Sequence, residues 1–315
     1  MSYSLNELYR TVGVSKQSVQ QARKRQESFD KELAKLVVKA DKLKKEHPGC
    51  GVEKMYYTLK PEFLGRDKFC EIFMDLGYGV KPVRNYHRTT FRGSVIYPNL
   101  IEGMKVTRPF QVIQSDITYF SLNQKHYYLV FIIDVYTRLV TGFAVTDSLR
   151  AEANVKALEM ALKIMDFQPW ELIHHSDRGS QYGSIIYINL LRSKKIHSSM
   201  GKVAWENPHA ERINGIIKNE YLKKWVIKDF KDLQLKVRKA VNNYNKKRLH
   251  RSLNMEYTPM SFYKKLVDLP AQERPTVIVY TEGKKNFKGA SSPFEVCPRE
   301  EPQAHNCPME NQNDC

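Results

Sequence analysis

The stretch HHSDRGSQYGSIIYINLLRSKKIHSSMGKVAWENPHAERINGIIKNE, residues 174–220, decides how the chain is read. It holds two acids in special contexts, Asp177 and Glu211, with 33 residues between them. Asp177 follows the short run Glu171-Leu172-Ile173 and precedes Arg178-Gly179-Ser180, so it is expected where a strand ends in a turn. Glu211 follows Asn207-Pro208. Proline is well placed at the first helical position behind an N-cap residue, so Glu211 is expected in the first turns of a helix. A third acid lies upstream. Asp116 interrupts Val112-Ile113-Gln114-Ser115-Asp116-Ile117-Thr118-Tyr119-Phe120, a β-branched and aromatic run. A carboxylate inside such a strand is costly unless something compensates its charge.

Three carboxylates from separate elements point to a divalent-metal site. Mg²⁺ takes hard oxygen ligands, commonly one or two carboxylates completed by water and phosphate oxygens. Two such ions about 3.5–4 Å apart can activate an attacking oxygen and stabilise a leaving one in phosphoryl displacement. The expected catalytic and metal-binding set is therefore Asp116, Asp177 and Glu211, with two Mg²⁺ and with Mn²⁺ as a substitute. Glu206 and Glu220 are the alternatives for the third acid.

At these residues a resemblance becomes specific. His175-Ser176-Asp177-Arg178-Gly179-Ser180-Gln181-Tyr182, followed by Asn207-Pro208-His209-Ala210-Glu211-Arg212, resembles the catalytic core of bacterial insertion-sequence transposases of the retroviral-integrase superfamily, the DDE recombinases. Gln114–Tyr119 matches their first-acid strand. Asn243-Tyr244-Asn245, Arg248–Leu253 and Thr258-Pro259 match the segment that closes their core. The gap between the second and third acids is slightly shorter here than is usual in the group that transposes through a circular DNA intermediate, and the shortening falls in the loop before the Glu211 helix. The resemblance implies an RNase H-like fold with Asp116 and Asp177 on adjacent central strands and Glu211 on a helix facing them. It implies cleavage at element ends and joining of the freed 3′-OH to another strand. It also implies terminal inverted repeats and target DNA as partners, and a homodimer or larger assembly. In some relatives a frameshift adds an upstream-frame protein that carries end-binding helices. A catalytically silent DNA-binding relative and an RNase H-like nuclease are the alternatives.

Composition agrees with a polyanionic partner. The chain has 315 residues and a net charge of +17, from 51 Lys and Arg against 34 Asp and Glu. Such an excess favours nucleic acid. The five cysteines lack paired-ligand spacing, which fits a reducing cytoplasm rather than a disulfide framework. The resemblance implies a bacterial cytoplasm and a place beside the nucleoid. No secretory signal and no apolar run long enough to span a membrane is expected.

Taken in order, the chain is expected to be multidomain, with an all-α helix-turn-helix region followed by an α/β RNase H-like core on a mixed sheet. Residues 1–46 form the helix-turn-helix and a connecting helix, with Ser15 capping the second helix, Val12, Val14, Val19 and Ala22 inward, and Lys16, Gln17, Gln20 and Arg23 presented to DNA. Residues 47–107 form a second helical unit, with a helix capped by Asp67, and a basic linker carrying Arg84 and Arg88. Residues 108–268 form the core, with strands near 110–120, 125–136, 138–146, 172–176 and 196–199 and helices near 151–165, 184–192 and 229–247. Residues 269–315 form an extension expected to be partly disordered. Asp134 reads as structural, paired with Arg138. His174 and His175 read as orienting groups, and Trp205 as core or as a stacking residue. Arg178, Arg212, Lys218, Arg248 and Arg251 complete the expected DNA contacts. Lys218 shares the helix face of Glu211.

Overall fold

The computed structural model describes residues 5–80, 94–164 and 171–280. Arg84, Arg88 and most of the C-terminal extension lie outside them. The chain opens with α1 (Leu5–Val12), turns at Gly13 with φ +71, and enters α2 (Lys16–Glu46). Ser15 caps α2 as the sequence predicts, its side chain accepting from the Ser18 amide at 3.0 Å. The second helix and the connecting helix are continuous, and the 31 residues form one helix. No glycine or proline interrupts it. Local pairs such as Arg23–Glu27 at 3.0 Å and Gln26–Asp30 at 2.8 Å support it. The expected inner face has no core to meet among the described residues: Val12 is 69% exposed, and Val14 and Ala22 are exposed too.

Farther along α2, Leu36 and Ala40 are buried against α3 (Val52–Leu59) and α4 (Arg66–Asp75), through Met55, Phe69 and Phe73. Gly65, not Asp67, takes the N-cap position of α4. Asp67 sits in the first turn and pairs with Arg66 at 2.8 Å.

The core then runs β1 (Lys105–Val106), β2 (Val112–Leu122), β3 (Lys125–Asp134), β4 (Val140–Thr146), α5 (Ala151–Ile164), β5 (Ile173–Ser176), α6 (Ile185–Ser193), β6 (His197–Met200), α7 (Pro208–Ile216), α8 (Phe230–Lys246), α9 (Pro259–Val267) and β7 (Val277–Ile278). Five strands make one mixed sheet in the order β4-β3-β2-β5-β6. β2, β3 and β4 pair antiparallel, whereas β2–β5 and β5–β6 are parallel. This is the RNase H-like, integrase-core arrangement that the resemblance implies.

Helices cover both faces, which explains why β3 reads as a near-continuous apolar run. On one face Ile113, Ile117, Val130 and Ile132 meet Ala157 and Leu158 of α5 and Tyr187 and Leu191 of α6. The approach of α5 is so close that a Cβ on Gly142 of β4 would lie 2.0 Å from the Ala157 carbonyl oxygen. On the other face Leu129, Phe131 and Ile133 meet Ala210 and Ile213 of α7 and Leu233, Val237 and Ala240 of α8. Asp116 is paired with Phe131, so its side chain lies on the α7 face.

Two joints extend this core beyond the expected limits. β7 pairs antiparallel with β1, and Val277 is fully buried, so residues up to 280 pack on the core. At the other end, the loop before α3 docks onto a π-helical turn, Ile217–Tyr221, that continues α7. The Gly49 amide donates to the Glu220 carbonyl at 2.7 Å. A Cβ on Gly49 would fall 2.2 Å from the Glu220 Cα, so this close approach requires glycine. His47 Nδ1 and the Tyr221 hydroxyl are 2.7 Å apart. Glu220 receives Arg248 through two bonds of 2.8 and 2.9 Å and Lys54 through one of 3.1 Å.

Candidate active site

Parallel pairing aligns β2 and β5 in register. Ser115 faces Ser176, which carries Asp116 and Asp177 to the next position on neighbouring strands. Asp177 leaves the strand into a turn closed by the Gly179 amide, which donates to Asp177 Oδ1 at 3.0 Å. The third acid arrives from α7. Asn207 occupies the N-cap position and Pro208 the first turn, as the sequence predicts, but the Asn207 side chain makes no cap bond. It reaches across to the sheet instead, donating through Nδ2 to the Ser115 carbonyl at 2.8 Å. The His209 amide donates to Gln114 Oε1 at 3.0 Å. Two bonds thus pin the start of α7 to β2 and aim its next turn at Asp116.

From there α7 runs along the polar edge of β2. Asn214, three residues past Glu211, donates through Nδ2 to Asp116 Oδ2 at 2.8 Å. Lys218, one turn farther, donates to Thr118 Oγ1 at 2.6 Å and lies 5.4 Å from the Tyr119 ring centroid. Gln114, Asp116 and Thr118 alternate on one face of β2 and meet, in order, the first residues of α7, Asn214 and Lys218. Asn214 and Gln114 are the site residues that motif spacing missed. The signal for Asn214 was available, since it shares a helix face with Glu211 and Lys218.

Electrostatics mark the three acids as one group. Burial drives the Asp116 carboxyl well above the usual carboxylate range, and the charges of Asp177 and Glu211 push it further. Glu211 is raised by burial and then by Asp177. Neither Glu206 nor Glu220 figures among these neighbours. Glu206 accepts from the Lys202 amide at 2.6 Å within the loop before α7, and Glu220 is held by Arg248 and Lys54. Donor chemistry and mutual repulsion fit a hard divalent cation, whose charge would relieve the group. Among the described residues, however, no three His, Cys, Asp or Glu side chains close into a ligand cluster as they stand.

That repulsion has a stability consequence. In EDTA at neutral pH, Asp116→Asn is expected to unfold with about 1 kcal/mol more stability than the unsubstituted chain. The folded state binds the Asp116 proton more tightly than the unfolded chain does. The unsubstituted protein therefore recovers stability as pH falls through the raised pKa, and the difference narrows. Denaturant unfolding of both proteins across a pH series from alkaline to acid reads this. A variant no more stable at the upper end would show that the carboxylates do not strain the site.

Neighbouring residues divide clearly. His174 Nε2 meets the Tyr187 hydroxyl at 2.8 Å and His175 Nδ1 meets the Ser199 hydroxyl at 2.8 Å. Burial lowers their pKa values to about 3 and about 4, so both are neutral orienting groups. Asp134 is structural, but not through the Arg138 side chain. It accepts from the Phe110 amide at 3.0 Å and from the Thr137 amide and hydroxyl at 2.9 and 2.6 Å. The Arg138 guanidinium turns to the Val135 carbonyl at 2.6 Å and to His209. Trp205 is 62% exposed, which removes it from the core.

Of the expected DNA contacts, Lys16, Gln17, Gln20 and Arg23 are exposed along the first turns of α2. Arg178 is half-buried behind Asp177, and Arg212 is exposed on α7. Arg251 is exposed and 4.0 Å from Glu53. Arg248 is corrected: its side chain is 7% exposed and its guanidinium is committed to Glu220, so it holds the fold together instead of facing DNA.

Comparison with known proteins agrees with the geometry. The Integrase core domain family matches residues 106–204, and a second family of the same description matches residues 192–259. The transposase for insertion sequence element IS629 of Shigella sonnei is 35% identical over 144 residues, covering 45% of this chain and 48% of the relative. The insertion element IS600 uncharacterized 31 kDa protein of Shigella sonnei is 30% identical over 214 residues, covering 66% of this chain and 78% of the relative. The match thus spans about half the length of the first relative and more of the second. Among solved structures, the HTLV-2 integrase catalytic core domain in complex with magnesium aligns with a TM-score of 0.40 at 18% identity, over 52% of this chain and 99% of that one. With an integrase core whose acids converge from β2, the end of β5 and α7, the chain belongs to the insertion-sequence transposases of the DDE, retroviral-integrase superfamily.

Proposed function

We propose that this chain is a DNA transposase that cuts at insertion-sequence ends and joins the freed 3′-OH to another DNA strand. The observation that carries the reading is the placement of Asp116 and Asp177 at matching positions of two parallel strands, with the Glu211 helix tied to Asp116 through Asn214. Their oxygens would hold divalent cations, with two Mg²⁺ as the expected set and Mn²⁺ as a substitute. Bound there, such ions supply Lewis-acid stabilisation of charge on the phosphoryl oxygens.

The protein groups do the positioning. Asn214 holds one Asp116 oxygen, which leaves the carboxylate a single orientation. Lys218 brings an ammonium beside the acids, where it can take a phosphate oxygen. In the first step water adds to a phosphodiester phosphorus, the P–O3′ bond breaks, and the 3′ oxygen leaves as a hydroxyl. In the second that hydroxyl attacks a phosphorus of another strand, displacing its 3′ oxygen. Positioning and preorganised charge suffice for such in-line displacements, and no covalent enzyme intermediate is required.

The exposed residues Lys16, Gln17, Gln20 and Arg23 on α2 support a DNA-binding N-terminal region of helix-turn-helix type. Arg178, Arg212 and Arg251, with Arg84 and Arg88, complete the proposed contacts. Double-stranded DNA, as terminal inverted repeats and target, is the proposed partner of a homodimer or larger assembly in the bacterial cytoplasm, with an upstream-frame protein as a further partner. No described helix is long and apolar enough to cross a membrane.

The test is end-labelled DNA carrying the element's own flanks, incubated with Mg²⁺ or with EDTA. Nicked and joined products are expected with Mg²⁺ alone. Binding without any Mg²⁺-dependent product would overturn the catalytic reading in favour of a silent DNA-binding relative.

A further inference from the structure

A second cationic site lies away from the acids, where the end of α2 meets the turn after α7. Lys44, Lys45, Lys224 and Trp225 line a cleft of about 520 Å³ together with Asp41 and Pro48. Lys44 is anchored, its ammonium donating to the Cys50 carbonyl at 2.8 Å. Lys45 and Lys224 are exposed, and neither has a carboxylate partner among the described residues. The cleft's own acid, Asp41, is engaged by the Tyr78 hydroxyl at 2.5 Å. Trp225 is half-buried against Tyr221, with ring centroids 5.3 Å apart, and Lys239 Nζ lies 5.3 Å from its ring centroid.

These ammonium groups repel one another. Lys224 is close enough to Lys44 for its charge to add to burial in lowering the Lys44 pKa. Lys223 does the same to Lys218, which stands beside the acids. Lys218, Lys223, Lys224, Lys44 and Lys45 therefore make a cationic track. It leads from the carboxylates, around the end of α7, to the cleft. The cleft sets three lysines against the single carboxylate of Asp41. Such an excess of like charge weakens the fold, and a polyanion laid along it removes that cost.

We propose that the Lys44–Lys45–Lys224–Trp225 cleft is a phosphate-backbone anchor for DNA. It grips the strand beyond the reacting phosphodiester, at the joint between the N-terminal helical unit and the core. The ligand is a run of DNA phosphates, not a sequence, because the lysines are point charges without the forked geometry that reads base edges. Trp225 offers an apolar wall for a sugar or an unpaired base. The proposal rests on the DNA reading above and adds the place where the substrate is held outside the acid site.

The measurement is the affinity of the full chain for a labelled DNA duplex, by fluorescence anisotropy, across a salt series. Lys45→Ala/Lys224→Ala is compared with Lys163→Ala/Lys194→Ala. The second pair removes the same charge from the α5 and α6 face, and all four lysines are exposed, so folding is spared. The slope of log affinity against log salt is expected to fall by about 2 for the cleft pair, the release due to two phosphate contacts, and to change little for the control. Lys45→Arg/Lys224→Arg is expected to restore it. Equal slopes for the cleft and control pairs would overturn the anchor while leaving DNA binding intact. Absence of binding by the unsubstituted chain would instead overturn the DNA reading itself.

Discussion

Asp177→Asn is expected to keep duplex affinity within about twofold and to lower strand cleavage by about 10³-fold or more, the scale on which loss of one preorganised charged group registers. The substitution is nearly isosteric. An asparagine oxygen can still accept from the Gly179 amide, so the turn after β5 should hold. What disappears is one negative charge of the three, and with it that charge's share of the repulsion that adds to burial in raising Asp116 and Glu211, and its share of the attraction for a divalent cation. Binding is read by anisotropy and cleavage by gel on end-labelled DNA with Mg²⁺. Cleavage at an unchanged rate would remove Asp177 from the mechanism, and with it the site built around the end of β5.

Glu220→Ala is expected to cost about 3 kcal/mol of unfolding free energy, because it strands two cations, one of them buried, that share one half-buried carboxylate. Arg248 is 7% exposed at its side chain, Glu220 20% and Lys54 25%. The three ties come from α3, the turn after α7 and the segment after α8, so their loss loosens the N-terminal helical unit from the core. Denaturant unfolding measures the cost. Replacing all three by apolar residues, as Lys54→Met/Glu220→Leu/Arg248→Met, is expected to recover much of it, since the penalty lies in unpaired charge and not in lost attraction alone. A Glu220→Ala protein as stable as the original would show that the joint is held by other contacts.

The pH dependence of this joint has a definite sign. Burial raises the Glu220 pKa, but the Arg248 bonds and charge, with Lys54, outweigh it and hold the carboxyl below its ordinary value. A depressed folded-state pKa means that the contribution is present above the unfolded carboxyl range and is lost as pH falls through the folded value. Acid unfolding should therefore steepen below about pH 4 in the original chain and less so in the apolar triple variant.

The acids were legible because each breaks a local rule. A charge inside a β-branched strand, an acid at a strand end before Arg-Gly-Ser, and an acid just past Asn-Pro stand out without any tertiary knowledge. The five strands of the main sheet and helices α5 to α8 were legible from periodicity and capping residues, to within a few residues at their ends, whereas β1, α9 and β7 were not. The continuity of α2 followed the apolar spacing of Leu33, Leu36, Val37, Ala40 and Leu43. Lys44, Lys45 and Lys224 were silent. Two sit in a lysine-rich helix end that reads as a solvated face, and the third lies some 180 residues away.

Sequence alone singled out the candidate acids and the family, since residue type and local spacing suffice for both. Tertiary structure decided the partners. It turned Asn207 from a cap into a staple, assigned Asn214 to Asp116, and eliminated Glu220 as an acid of the site by giving it to Arg248 and Lys54. It also moved Arg248 from the DNA-facing set to the interior. The physical reason is that an ion pair or hydrogen bond between distant segments depends on where burial leaves a charge uncompensated, and the sheet register and helix docking decide that.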